Sequence, residues 1–324
     1  MIKSTEDIFK PVETELEQLN KNLKKMVIAE HPILYAAAEK LFSAGGKKIR
    51  PSLILLIAKE TAINNSILDE HKRLAEITEI IHTASLVHDD VIDNAEKRRG
   101  INTIHHEFSN KIAILAGDFL FAQSSWYLAN LGNLSVVQTI SKVITDFAEG
   151  EVRQGTKYFD HKISIEEYIE KSFYKTASLI ASSSKAATMI SRSNIEIQND
   201  FYLYGKHIGL AFQIIDDILD ITSCSKDLGK PAGSDLKNGN LTAPLIFALE
   251  EQPSLYKFIN REFEGNYDIK KTIEIIKNTR AIHKSKDLAE EHIQLAIKIL
   301  KNNRSSTYIT NLLIISYYIL NRIN

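Results

Sequence analysis

The sequence predicts an all-α fold. Its apolar residues recur at spacings of three and four, and only six prolines and thirteen glycines punctuate 324 residues. No run of strict two-residue alternation is long enough to propose a sheet. No linker, short-period repeat or low-complexity tract divides the chain, so residues 1–324 read as one large helical domain with a sizeable core.

Each segment supports that reading in turn. Met1–Pro11 carries Glu6 and Asp7, lacks arginine and has no apolar core, so neither a signal peptide nor a typical transit peptide is expected there. Pro11 sits where a helix can begin, and Leu16, Leu19, Leu23 and Met26 form the buried stripe of the helix that follows. A second helix starts near Pro32 and stops at Gly45-Gly46. The loop Gly45-Gly46-Lys47-Lys48-Ile49-Arg50-Pro51 leads into the apolar run Ser52 to Ala58, with Pro51 suited to a first helical turn. The most apolar stretch, Leu312 to Leu320, falls short of the roughly 20 residues that span a bilayer and reads as a terminal core helix, so no transmembrane segment is expected.

Charge narrows the function. Forty Lys and Arg against 41 Asp and Glu exclude a protein that holds nucleic acid by bulk positive field, so any phosphate recognition must be local. A single cysteine, Cys224, cannot form an intramolecular disulfide and lacks a nucleophile signature, which fits a structural role in a reducing compartment.

Two blocks of acid stand out. His88-Asp89-Asp90-Val91-Ile92-Asp93 and Ile215-Asp216-Asp217-Ile218-Leu219-Asp220 each spell Asp-Asp-x-x-Asp on an apolar helical background. Two such motifs arise by chance in fewer than about one sequence in a thousand of this length. On a helix, Asp89 lies beside Asp93 and Asp216 beside Asp220, with Asp90 and Asp217 one step round. Like charges at that spacing repel, so a cation belongs there, and Mg²⁺ suits one or two carboxylates plus phosphate oxygens.

Basic residues surround the blocks. The flexible glycines and the positive end of the helix beginning near Pro51 make the Lys47/Arg50 loop a description of a diphosphate site. Arg98 and Arg99 follow the first block closely, and their guanidinium forks suit phosphate. His82 lies seven residues before Asp89 on the same stripe, where a phosphate contact is favoured over a core role. Lys175-Thr176 and Lys230, in Asp227-Leu228-Gly229-Lys230-Pro231, add further cations.

With these motifs in their order, the chain resembles the trans-prenyltransferase family, the polyprenyl diphosphate synthases, from about residue 40 to 250. The two aspartate blocks, the Gly-Gly-Lys-x-x-Arg-Pro loop, Arg98-Arg99-Gly100, Lys175-Thr176, Phe212-Gln213 and Gly229-Lys230-Pro231 carry the likeness. The resemblance implies an isoprenoid-synthase bundle of long helices around a central cavity, with the two blocks facing each other at its mouth, in a homodimer. It implies isopentenyl diphosphate held by Lys47, Arg50, His82 and Arg99. It implies an allylic diphosphate held through two or three Mg²⁺ ions and by Arg98, Lys175, Thr176, Gln213 and Lys230. Asp89, Asp93 and Asp216 are the implied metal ligands, while Asp90, Asp217, Asp220 and Lys175 complete the catalytic set. One departure stands out: many members carry lysine where this chain has Asn240, so the missing charge is expected to come from Lys230 or Lys237.

Product length follows from residues near the first block. Ala84 and Ser85 lie about one turn before Asp89, where short-chain relatives often carry an aromatic ring, so a deep pocket and a long product of the nonaprenyl class are expected. The stretch from Tyr158 to Ile180 and Asn240-Leu241-Thr242-Ala243-Pro244 are most similar to cyanobacterial and algal-plastid members, which make the solanesyl-type side chain of plastoquinone. Richness in Ile, Lys and Asn points to an A/T-rich genome, in keeping with a plastid-encoded enzyme of the stroma, a cytoplasmic one being the other option. Release of so apolar a product implies a transient membrane contact. The competing readings are a short-chain synthase, a helical His-Asp metal phosphohydrolase, a terpene cyclase and a non-catalytic regulatory subunit. The phosphohydrolase leaves the second block unexplained, cyclases commonly carry a different second motif, and regulatory subunits tend to lose motif aspartates.

Overall fold

The computed structural model describes residues 9–43, 48–98, 100–223, 233–265, 267–302 and 307–323. Its long helices, in chain order, are α1 (Glu13–Met26), α2 (Pro32–Ser43), α3 (Ile49–Thr61), α4 (Asp69–Ile92), α5 (Asn110–Ala129) and α6 (Leu134–Gly155). There follow α7 (Ile165–Ser172), α8 (Ser178–Ile190), α9 (Ile195–Thr222), α10 (Ala243–Glu251), α11 (Asp268–Lys277), α12 (Ala281–Asn302) and α13 (Thr307–Leu320). The all-α expectation holds. Among the described residues its one exception is a two-residue antiparallel ladder, Lys97–Arg98 with Ile101–Asn102, which is too short to show as an alternation in sequence.

The chain forms two compact units. The first comprises Met1–Ile144, Leu179–Gly205 and Ile299–Ile315. Within it α3 is buried on every side from Pro51 to Ala58, as an apolar run without a polar face must be. Leu19, Leu23 and Met26 of the predicted α1 stripe are buried too, whereas Leu16 at its start is half-buried. The start of α4 is tied down by His71, whose Nδ1 accepts from the Leu68 backbone and whose Nε2 lies 3.1 Å from the Ala187 carbonyl. Two acceptors and donors satisfied in this way make His71 a structural group, and burial lowers its pKa.

Helix α4 packs closely against α5, and one glycine sets the spacing. A Cβ on Gly117 would lie 2.2 Å from His88 Nε2 and 2.4 Å from its Cδ2, so only glycine admits the imidazole. His88 Nε2 then reaches the Ile114 carbonyl at 3.1 Å. Among the described residues α5 is the one helix long and apolar enough to cross a membrane, with a third of that window buried. The most apolar stretch of the sequence, Leu312 to Leu320, lies in the shorter apolar helix Tyr308–Leu320, while Lys111 and Asp118 interrupt α5 and hide its length in the sequence. Ile114, Leu115 and Trp126 form an exposed apolar face along α5.

The second unit comprises Thr145–Ser178, Lys206–Lys298 and Ser316–Asn324. Helix α7 begins with a reciprocal cap, in which Glu167 N donates to Ser164 Oγ at 3.2 Å and Ser164 N donates to the Glu167 carboxylate at 3.0 Å. It passes into a π-helical turn, Phe173–Ala177, that carries Lys175 and Thr176. Such wide turns are frequent at functional sites. A Cβ on Gly209 would lie 2.6 Å from Ala177 Cα, so α9 meets this turn backbone to backbone, and Gln213 comes within reach of Thr176.

Candidate active site

The first aspartate block occupies the last turn of α4, where Asp93 N closes onto the Asp89 carbonyl at 2.8 Å. A helix C-terminus carries partial negative charge, so three carboxylates there need a cation. Arg98 supplies one: its Nε donates to both oxygens of Asp90, at 2.9 and 3.0 Å, and its Nη2 lies 2.8 Å from Oδ1. The Asp90 side chain is 8% exposed, so it is a buried anchor for the hairpin that brings Arg98 back over the block. Asp89 and Asp93 remain half-buried. Because Arg98 is engaged by Asp90, its expected phosphate contact has to share the guanidinium with that carboxylate.

Upstream, two residues assigned to isopentenyl diphosphate meet directly. Arg50 Nη1 lies 3.0 Å from His82 Nε2. A guanidinium can only donate, so Nε2 accepts and the neutral imidazole carries its proton on Nδ1. Lys48, in the left-handed conformation just before α3, pairs with Glu79 at 3.2 Å. Ala84 is wholly buried, while Ser85 is half-buried and donates to the His82 carbonyl at 2.9 Å.

In the second unit the other block shows the same division of labour. Asp217 and Asp220 are buried, at 4% and 1% exposure, and are held by the protein itself. Asp217 accepts from Tyr168 OH at 2.6 Å and from Gln213 Nε2 at 2.7 Å. Thr176 Oγ1 donates to Gln213 Oε1 at 2.6 Å, so Thr176, Gln213 and Asp217 form one chain of hydrogen bonds. Burial first, then the nearby Asp235 charge, push the Asp217 carboxyl up to about 7. Asp220 accepts from Ser234 Oγ at 3.0 Å. Asp216, with a side chain 38% exposed, is the block's outward carboxylate; Arg322 pairs with it at 2.8 Å and lies 4.6 Å over the Phe212 ring. Lys175 pairs with Glu151 at 3.0 Å.

Sequence reasoning missed Tyr168, Arg322, Glu151 and Lys171. The Nζ of Lys171 donates to Asn240 Oδ1 and, at 3.4 Å, to the Leu241 carbonyl. The only available signal was that Lys171 precedes Lys175 by four residues. Lys47, Arg99, Lys230 and Cys224 lie outside the described residues.

No three His, Cys, Asp or Glu side chains converge as a ready-made metal centre among the described residues. That donor set still fits Mg²⁺, which takes one or two carboxylates and completes its shell with water and phosphate oxygens. Asp89 and Asp93 are half-buried in the first unit, and Asp216 of the second unit is 38% exposed.

Residues 31–276 match the polyprenyl synthetase family, a span that includes both aspartate blocks. The chain belongs to that family. A prenyl transferase of Cyanophora paradoxa is 58% identical over 320 residues, 99% of each chain. The chloroplastic solanesyl diphosphate synthase 2 of Arabidopsis thaliana is 49% identical over 300 residues, covering 92% of this chain and 72% of the plant protein. A solved Caulobacter crescentus polyprenyl synthase, complexed with calcium and isoprenyl diphosphate, has a TM-score of 0.93 at 28% identity over 99% of each chain. This polyprenyl synthetase is therefore an enzyme, a prenyltransferase, and the phosphohydrolase, cyclase and non-catalytic readings fall away.

Proposed function

We propose that this polyprenyl synthetase condenses isopentenyl diphosphate with geranyl, farnesyl or geranylgeranyl diphosphate. The product is a long all-trans polyprenyl diphosphate for a quinone side chain such as that of plastoquinone. The observation that supports it best is a pattern of burial shared by the two blocks: Asp90 and Asp217 are buried, while Asp89 and Asp93 are half-buried and Asp216, paired with Arg322, is 38% exposed. The chloroplastic solanesyl diphosphate synthase among its relatives supports the long product and a plastid location, and the Ile-, Lys- and Asn-rich composition supports a plastid gene.

Asp89, Asp93 and Asp216 are assigned to two or three Mg²⁺ ions, which on binding withdraw electron density from the allylic diphosphate leaving group. Lys175, Thr176, Gln213 and Lys230 hold that diphosphate, with Arg98 sharing it with Asp90. Lys47, Arg50, His82 and Arg99 hold the isopentenyl diphosphate, with Arg50 and His82 in direct contact. The allylic carbon–oxygen bond breaks with its electron pair on the departing diphosphate. The double bond of isopentenyl diphosphate attacks the allylic cation, and the proton then lost passes to the released diphosphate. Each round adds five carbons. The exposed apolar face of α5, with Ile114, Leu115 and Trp126, is assigned to the partner subunit of a homodimer.

The test supplies the purified chain with labelled isopentenyl diphosphate, each primer and Mg²⁺, and sizes the products. Long products are expected, with Asp89→Ala or Asp216→Ala lowering turnover at least about 100-fold at little cost in melting temperature. Near-normal turnover in either folded variant refutes the assignment.

A further inference from the structure

Lys171 is an ammonium that the expected set of site residues leaves without a role. It ends α7, four residues before Lys175, so the two lysines lie nearly one above the other along this part of the helix. Its Nζ is held by two neutral oxygens, the Asn240 side chain and the Leu241 carbonyl, and lies 5.8 Å over the Tyr168 ring. Among the described residues no carboxylate comes within ion-pair distance of it. The candidates are engaged elsewhere: Glu151 by Lys175, Asp217 by Tyr168 and Gln213. Burial pulls its pKa down; Lys175 adds to that effect, and Asp217, Asp235 and Glu151 oppose it.

A half-buried charge with no counter-ion in contact carries a desolvation cost that an anionic ligand would offset. The surroundings specify the anion. Lys175, Thr176 and Gln213, the residues assigned to the allylic diphosphate, lie on the same π turn or are hydrogen-bonded to it. Asn240 orients the ammonium without neutralising it, as an aspartate there would.

We propose that Lys171, oriented by Asn240, is an additional diphosphate-binding cation for the allylic substrate, supplying from α7 the positive charge that position 240 does not carry. The inference rests on the function proposed above and makes Lys171 a specificity element for one of the two substrates. Neither Lys230 nor Lys237 is then needed for that charge, and Lys237 is exposed.

The experiment measures the KM of each substrate together with calorimetric binding of inorganic pyrophosphate in the presence of Mg²⁺. Lys171→Gln is expected to raise the KM for farnesyl diphosphate and weaken pyrophosphate binding roughly tenfold, with the KM for isopentenyl diphosphate within about twofold of wild type. Lys171→Gln/Asn240→Lys, which moves the ammonium to the other end of the same contact, is expected to recover most of both losses. A general packing defect would not be rescued in this way. If Lys171→Gln fails to fold, Asn240→Asp keeps the lysine but neutralises it, and should weaken pyrophosphate binding to a similar extent. Unchanged pyrophosphate affinity in folded Lys171→Gln or Asn240→Asp, or no recovery in the folded double variant, overturns the proposal. Absence of prenyl transfer by the wild type would count against the proposed function instead, because pyrophosphate binding reports on Lys171 independently.

Discussion

Gly117→Ala isolates the contact that seats the first aspartate block. The new Cβ would stand 2.2 Å from His88 Nε2, whereas ordinary contact begins at about 3.4 Å, so the imidazole must retreat by roughly 1.2 Å. That retreat breaks the 3.1 Å bond to the Ile114 carbonyl. Overpacking costs about 1–3 kcal/mol and the lost hydrogen bond about 1 kcal/mol, against about 1 kcal/mol regained from alanine's helix propensity. The net of about 1–3 kcal/mol corresponds to a melting temperature lower by roughly 2–10 °C. His88 precedes Asp89, so the shift reaches the proposed metal ligands, and a misplacement of about 1 Å can cost on the order of 100-fold in turnover. Differential scanning fluorimetry and initial rates of labelled isopentenyl diphosphate incorporation read the two effects separately. Removing the ring as well, in His88→Ala/Gly117→Ala, should return the melting temperature and rate to those of His88→Ala alone, a non-additivity expected of direct contact. Wild-type stability and rate in Gly117→Ala, or strict additivity in the double variant, refutes the reasoning.

Two further outcomes are expected. His207 and His292 face each other with their Nδ1 atoms 3.0 Å apart. Burial, then His292 and Lys206, push His207 down to about 4 from its ordinary 6.5, and burial lowers His292 as well. The unfolded chain therefore binds more protons in that window, so stability is full above about pH 6.5 and declines as pH falls toward 4. His207→Asn should flatten the fall of melting temperature between pH 7 and 5, and an unchanged slope removes the pair from the account. Replacing Ala84 or Ser85 by phenylalanine should shorten the product. Ala84 is wholly buried, so Ala84→Phe should also lower the melting temperature, while half-buried Ser85 is the gentler site. Full-length product from both folded variants would show that the growing chain runs elsewhere.

How much of this was legible in the sequence depended on how local each interaction is. The α1 stripe and the buried run of α3 are determined by residues a turn or less apart, and both formed as chain chemistry dictates, Leu16 alone staying half-buried. Both aspartate blocks were conspicuous for the same reason, because repeated acid on an apolar helix is uneconomical without a cation. What the blocks do internally was not legible. That Asp90 belongs to Arg98 follows from the hairpin that turns the chain back after α4, and that Asp217 belongs to Tyr168, 49 residues away, from the packing of α7 against α9.

The sequence alone determined an all-helical chain, two Asp-Asp-x-x-Asp blocks and the basic residues able to meet a diphosphate, since composition and periodicity act over a turn or two. Only the tertiary structure decided which carboxylates are buried and which stay partly exposed. It alone brought Arg50 against His82, Arg322 onto Asp216 and Lys171 onto Asn240, 69 residues apart. Burial and long-range pairing are properties of packed helices, and a charge acquires its role only when packing decides whether water, a counter-charge or a substrate will satisfy it.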